Sequence, residues 1–273
     1  MSDVGATADT TPALSGGTRL RLITITVSHY CEKARWALEK QGVSFSEEGH
    51  LAVLHLLATR WAGGPRTVPK LVIETTGSNP GLINESSDII RFADEHRASG
   101  KGTLYPEDKA AEIDSWMEKF DKEIGPHVRR WAYYHLLRSD RGFEVCFQGG
   151  TSSLERTVFW TSWPVLKPMY GQAFNLTEDG YRRSLSRLEA VFTEVDKTLA
   201  DGRPYLTGDQ FTAADLTLAA LAYPAIMPPE MKVPKFPPVD RLPAEMRDLT
   251  LAWRERPFGK LVLRAYEKER HGM

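Results

Sequence analysis

Residues 22–27 open the chain's first regular pattern, with Ile23, Ile25 and Val27 separated by Thr24 and Thr26. A period of two in β-branched residues predicts a strand, extended back to residue 19. The period then changes. Over residues 32–40, Ala34 and Leu38 share a face with Cys31, while Glu32, Lys33, Glu39 and Lys40 are polar, which predicts a helix. Gly42 suits its stop, because glycine tolerates a left-handed backbone. Val43 and Phe45 alternate with Ser44 and Ser46 and predict a short second strand. A second helix is expected over residues 50–62, closed by Gly63-Gly64-Pro65. Leu71, Val72 and Ile73 mark a strand over 69–74, Asn79-Pro80-Gly81 a turn, and residues 81–84 a fourth strand. The next helix opens at Glu85 and runs to about residue 97.

Beyond Leu104-Tyr105-Pro106, which looks like a linker, every readable segment has the helical period. Ile113, Met117, Phe120 and Ile124 mark a helix over 110–124, and Gly125-Pro126 restarts it toward residue 138. Residues 139–175, with Gly149-Gly150 and Trp163-Pro164, suggest short elements or an insertion. Leu185, Leu188, Val191, Phe192, Val195 and Leu199 give a helix over 181–199 its buried side. Thr212-Ala213-Ala214-Asp215 reads as a capping box, with Phe211 and Leu216 at staple positions. A proline-rich irregular stretch follows. A last helix over 244–256 then precedes a tail beginning at Pro257.

With 273 residues, the chain fits two domains of ordinary size. The expected division is a polar, disordered tail over 1–18, an α/β domain over 19–99 and an all-helical domain over 107–273. Hydrophobic residues make up 41% and charged residues 26%, the balance of a soluble globular protein able to bury its cores without staples. A net charge of -1 supplies no field to draw in nucleic acid or an anionic membrane. The most apolar stretch, residues 213–227, is interrupted by Asp215 and Pro224 and is too short to span a bilayer. Cys31 and Cys146 offer no disulfide framework and suit a reducing compartment, hence a cytoplasmic location. The first residues lack the basic and apolar runs of a signal peptide. His127 and His135, eight apart, are too loosely spaced to share a metal, and no metal is expected.

Three short motifs carry candidate chemistry. Ser28-His29-Tyr30-Cys31 spans a strand-to-helix junction, where unpaired N–H groups give a partial positive charge. There Ser28 is either an N-cap or a hydroxyl available to a ligand. Cys31 is either a small buried residue or a thiol with a role. Val68-Pro69 precedes a strand; the proline either begins it in the trans form or makes a cis bond accessible. Glu85-Ser86 opens a helix, as caps or as a carboxylate and hydroxyl for the two charges of an amino-acid head group.

Together, and in this order, these motifs resemble those of cytosolic glutathione transferases. The first is similar to the S-x-x-C arrangement of theta-class transferases, and to the C-x-x-C junction of glutaredoxins with serine in the first place. The second falls where the superfamily carries a cis-proline, and the third where it binds the γ-glutamyl group. Residues 203–221 resemble the signature of the family's helical domain. The resemblance implies a thioredoxin-like domain followed by a helical domain, glutathione as co-substrate, and transfer of its thiolate to a small hydrophobic electrophile. It implies that Ser28 is catalytic and that Tyr30, Arg66, Val68, Pro69, Glu85 and Ser86 bind glutathione. Thr67 fills the place where the family often has a basic residue for the glycine carboxylate, so Arg66 or Arg60 must substitute. Trp131 and Tyr134 are the candidates for the electrophile pocket, and a homodimer is expected. Two alternatives stand beside this reading, a non-catalytic glutathione- or ligand-binding protein and a Cys31-dependent thiol reductase or peroxidase.

Overall fold

A computed structural model of the chain describes residues 17–77, 79–138, 153–231 and 236–270. Cys146, Gly149-Gly150, Pro234 and all but the last two residues of the expected tail lie outside them. Strand β1 (Thr18–Ile25) leads into helix α1 (His29–Lys40), and β2 (Ser46–His50) into α2 (His55–Ala62). The antiparallel pair β3 (Lys70–Thr75) and β4 (Gly81–Ile83) is followed by α3 (Ser86–Glu95). The sheet order is β2-β1-β3-β4, with β2 parallel to β1 and β3 antiparallel to it. This is the expected thioredoxin-like domain, and all-helical structure follows it. The Val68-Pro69 bond is cis.

The second strand lies three residues later than the alternation of Val43 and Phe45 predicts. Val43 instead closes α1: its N–H bonds the Leu38 carbonyl at 2.9 Å, after Gly42 has turned the chain at φ 70°. The strand proper is polar and sits at the sheet edge, held by its charges. Glu47 accepts from Thr24 Oγ1 at 2.6 Å and from Arg35 Nε at 2.8 Å, while Arg21 reaches both Glu48 and Glu74. The polar face of α1 is not solvated either. Glu32 and Lys33 are buried, Glu32 between Arg35 and Arg270, and Lys33 against Ser87 and Asp121 at 2.8 Å.

Helices α4 (Ala110–Glu123) and α5 (Gly125–Leu136) begin the second domain. Where short elements or an insertion are expected, α6 (Ser153–Ala173) runs for 21 residues, with Pro164 and Pro168 inside it. Glu155 ties its start to the first domain, accepting from His50 Nδ1 at 2.7 Å and from the Leu51 N–H at 3.4 Å. Helix α7 (Glu178–Thr198) starts earlier than its apolar stripe, because the Thr177 side chain caps it by accepting from Gly180 N at 3.0 Å. Helix α8 (Ala213–Ile226) is apolar all round and buried along its whole length, the mark of a central helix. The expected capping residues meet there, with Asp215 accepting from the Thr212 N–H at 3.0 Å.

Past α9 (Ala244–Glu255), Pro257 opens another helix rather than a tail: α10 (Pro257–Arg264), continued by a π-helical turn over Ala265–Arg270. Proline lacks only an N–H that the first helical turn would leave unpaired. The Phe258 N–H finds its acceptor in Asp196 of α7, at 2.8 Å. One apolar core runs through both domains, from Leu22 and Trp36 to Trp131, Phe192 and Tyr266.

Candidate functional site

The end of β1 and the start of α1 form a tight corner, in which the Ser28 N–H bonds the Ile25 carbonyl at 2.8 Å. Ser28 is the N-cap by backbone geometry (φ -82°, ψ 129°), yet its side chain caps no N–H. Ser28 lines an apolar cavity of about 440 Å³ beside the open end of a twelve-residue helix, and its side chain also acts on the Cys31 thiol. Cys31, one turn on, is fully buried and does not line that cavity. Burial pushes its thiol up to about 12, against the opposing effects of Arg35, the Ile25 backbone and the Ser28 side chain, so it is protonated at neutral pH.

Across the corner, Arg66, Thr67 and Val68 line the same cavity, while Pro69 is buried behind them and Arg60 is not on the wall. Lys70 sets this loop in place. Its buried ammonium donates to the carbonyls of Pro65 at 2.8 Å, Thr59 at 3.4 Å and Gly63. Glu85 and Ser86 begin α3 as expected, Glu85 exposed and Ser86 buried. Glu85 lies in a shallow second depression with Pro65 and Asn84 rather than in the cavity itself. The two concavities adjoin, since Pro65 and Arg66 are consecutive and the Glu85 charge is felt at Tyr30. Asn84 Oδ1 is buried there without a partner. Tyr30 lines the cavity and donates to the Asp121 carbonyl at 2.9 Å. Gly125 must be a glycine here, because a Cβ on it would lie 1.9 Å from the Tyr30 hydroxyl.

The far wall comes from the second domain. Helix α5 turns Arg129, Ala132, Tyr133 and Leu136 to the cavity, a stripe with helical spacing. Trp131 and Tyr134 belong to the other face and are corrected as pocket residues. Trp131 is fully buried against Trp253, with ring centroids 5.0 Å apart, and Tyr134 stacks on Tyr181 at 4.3 Å with its hydroxyl on Glu178. Leu166, Met169, Tyr170 and Ala173 of α6 complete the apolar side, with Tyr223 and Pro224 of α8. Tyr223 also donates to the Val27 carbonyl at 2.5 Å, tying α8 to the corner beneath Ser28.

His29, missed in the sequence reading, lines the cavity as well. Burial and then the Arg129 charge hold its imidazole down to about 3, against a bond to the Gly125 backbone, so it is neutral. No sequence signal marks it beyond its place beside Ser28. Among the described residues no cluster of three or more histidine, cysteine or acidic side chains could hold a metal, and no helix is long and apolar enough to cross a membrane.

Residues 22–101 match the family of glutathione S-transferase N-terminal domains, and residues 178–256 that of glutathione S-transferase C-terminal domains. No curated protein matches the chain in sequence. Among solved structures, the chain is similar to the beta-etherase LigF from Sphingobium sp. strain SYK-6, at 18% identity and a TM-score of 0.55, covering 90% of this chain and 98% of that one. A possible glutathione S-transferase from Rhodopseudomonas palustris is similar at 18% identity and a TM-score of 0.54, covering 93% and 95%. Glutathione transferase F7 from Populus trichocarpa follows at 15% identity and 0.52, covering 90% and 99%. At such identities the likeness is one of fold.

Proposed function

We propose that this chain, which carries both domains of the glutathione S-transferase superfamily, joins the glutathione thiolate to an electrophilic carbon of a small hydrophobic molecule. The observation that carries the reading is the placement of the Ser28 hydroxyl, uncommitted to capping, opposite the cis Val68-Pro69 corner in a cavity whose far wall is apolar. In this reading Ser28 donates a hydrogen bond to the glutathione sulfur. The α1 N-terminus adds its partial charge, and both favour the thiolate over the thiol. The Val68 backbone holds the cysteinyl part, with Pro69 fixing the corner and Tyr30 beside it. Glu85 takes the γ-glutamyl ammonium, Ser86 takes the γ-glutamyl carboxylate at the α3 N-terminus, and Arg66 takes the glycine carboxylate. Most of the rate then comes from thiolate stabilisation and from holding two reactants in one cavity.

The theta-like serine mechanism belongs to the same proposal. Cys31, buried, protonated and off the cavity wall, gives little support to a Cys31-dependent reductase or peroxidase. We also propose a cytoplasmic homodimer. Exposed apolar side chains lie on α2 of the first domain (Leu57, Trp61) and on α6 of the second (Leu154, Val158, Trp160, Val165). Patches of this kind suit a contact between the first domain of one subunit and the second of its partner.

The test is a panel of an activated aryl halide, an organic peroxide and a glutathionyl mixed disulfide, each with and without glutathione. Glutathione-dependent loss of the halide is the expected result. Glutathione binding without turnover on any member points to a carrier instead, and disulfide reduction abolished by Cys31→Ala points to a reductase.

A further inference from the structure

We propose that Lys70 is a positioning residue for the thiol substrate: itself out of the ligand's reach, its ammonium sets the chain over 63–68 so that Arg66 and Val68 meet the cavity. This rests on the reading of that loop as the cysteinyl and glycyl side of a glutathione site. Little else fixes the stretch. Pro65, Arg66 and Thr67 are exposed, and Thr59 is the only buried residue of helix α2, which leads into it. Among the described residues, no backbone hydrogen bond joins residues 63–69 to one another or to the rest of the chain, so α2 ends with its last carbonyls uncapped by the backbone. Apart from the His55 ring, which acts on the Arg66 backbone, the hydrogen bonds to this loop come from Lys70.

Lys70 begins β3 and pairs with Ile23 of the inner strand β1, so its backbone is fixed in the sheet. Its side chain is fully buried and carries that fixing back to the loop. The ammonium donates to the carbonyls of Pro65 at 2.8 Å and of Gly63, and more loosely to that of Thr59 at 3.4 Å. An ammonium has three donors, and these three carbonyls use them all. They run from the last turn of α2 to the residue before Arg66, with Gly63 and Gly64 at φ 86° and 72° doubling the chain back on this one group. The charge also meets the negative end of the α2 dipole.

Hydrogen bonds from an ionised donor are roughly twice as strong as those between neutral groups. Without the ammonium the three carbonyls lose their donor, and the loop must move to bring them to water. Such a movement displaces Arg66, Thr67 and Val68, which line the cavity from this side. The opposite wall, built by α5, α6 and α8, belongs to the second domain. The effect therefore falls on the thiol and spares its partner.

The experiment compares the full chain with its Lys70→Ala variant. Calorimetric titration with S-methylglutathione should show at least about tenfold weaker binding by the variant. Propylammonium chloride, which replaces the side-chain atoms removed, should restore most of that affinity. Tetramethylammonium chloride at equal ionic strength, a cation with no N–H, should restore none. In steady-state kinetics with the aryl halide, KM for glutathione should rise in step while KM for the halide stays within about twofold. Affinity unchanged in the variant, equal restoration by both salts, or an equal rise in both KM values overturns the proposal. If Lys70→Ala yields no folded protein, Lys70→Gln replaces it; the amide keeps two donors without the charge, and an unchanged affinity there overturns the proposal equally. Failure of the unaltered protein to bind S-methylglutathione defeats the glutathione reading instead. The loop is then judged without thiol, by tryptic cleavage after Arg66 relative to cleavage in the second domain. Cleavage at least about tenfold faster in the variant is expected, and equal rates overturn the proposal.

Discussion

Ser28 and Cys31 stand one helical turn apart with their side chains in touch, yet only the serine lines the cavity, which separates their roles. The serine lies on the cavity wall, while the cysteine sulfur is sealed in the core with its ionisation suppressed. Removing a preorganised donor from a developing anion typically costs about a hundredfold in rate. Ser28→Ala should therefore lower kcat/KM for conjugation by about that factor at unchanged melting temperature. Cys31→Ala should leave the rate within about twofold and cost about 1 kcal/mol of stability, as a small buried truncation does. Steady-state kinetics in which the two variants exchange these effects would remove the serine mechanism. Ser28, the Val68-Pro69 corner and Glu85-Ser86 were legible in the sequence because each is local: a few adjacent residues at the junction of two elements. His29 and Lys70 were not, because the groups that give each its place are brought to it only by the fold. A lysine that satisfies three loop carbonyls reads, in sequence, as an ordinary polar position in a strand.

Among elements, those with a clean period emerged where expected, and the departures are those without one. Helix α5 carries aromatic or apolar residues on both faces, so periodicity alone could not say which stripe meets the cavity and which meets α7 and α9. Trp131 and Tyr134 turned inward, while Tyr133 turned to the cavity. Strand β2 shows no apolar alternation because charge pairs hold it at the edge. Prolines obscured α6 and suggested a tail where α10 begins. Capping chemistry, by contrast, was fully readable at α8. There Asp215 accepts from Leu206 N at 2.8 Å through Oδ1, and from Thr212 N and Thr212 Oγ1 at 3.0 Å through Oδ2. An amide cannot replace this carboxylate, since its NH2 would face the Thr212 donors. Asp215→Asn should thus destabilise the protein by about 2 kcal/mol despite its equal size. Urea denaturation is the measurement, and a change below about 0.5 kcal/mol would mean that the buried carboxylate does not hold the α8 start.

For the whole molecule, the two domains are fastened at a second place besides the cavity, where the last described residues return to α1. Arg270 pairs with Glu32 at 2.8 Å and with Glu39, and Lys40 pairs with Glu269 at 2.8 Å. Arg270 and Glu32 are both nearly inaccessible, so Arg270→Met removes one of the two cations that pair with the buried carboxylate, leaving Arg35, and should cost about 2 kcal/mol in urea denaturation. Assembly is tested separately: Trp61, 89% exposed, lies on the surface proposed to meet a second copy, and Trp61→Glu should shift sedimentation from dimer to monomer. A protein that sediments as a monomer before any substitution removes that proposal. Acid sensitivity is likewise a property of the assembled fold. Burial lowers the titration of His29 to about 3 from an ordinary 6.5, and it lowers His55, His127 and His135 in the same direction. Below 6.5 the unfolded chain takes up protons at these rings while the folded chain does not. The stability they contribute is thus present above 6.5 and is lost as the pH falls toward 3. Asp215 works in the opposite sense. Its carboxyl is raised by burial to about 6 from 3.8, so the folded form holds the extra proton between those values and acidification there returns stability. Stability in urea should consequently be level above about pH 7 and should begin to fall near pH 6.5. His29 alone adds a slope of about 1.4 kcal/mol per pH unit, and the loss eases below about pH 6 as Asp215 takes up its proton. Asp215→Asn removes that compensation, so the variant should lose stability more steeply than the unaltered protein between about pH 6 and 4. Parallel curves for the two proteins across that window would show that Asp215 titrates alike in the folded and unfolded chains.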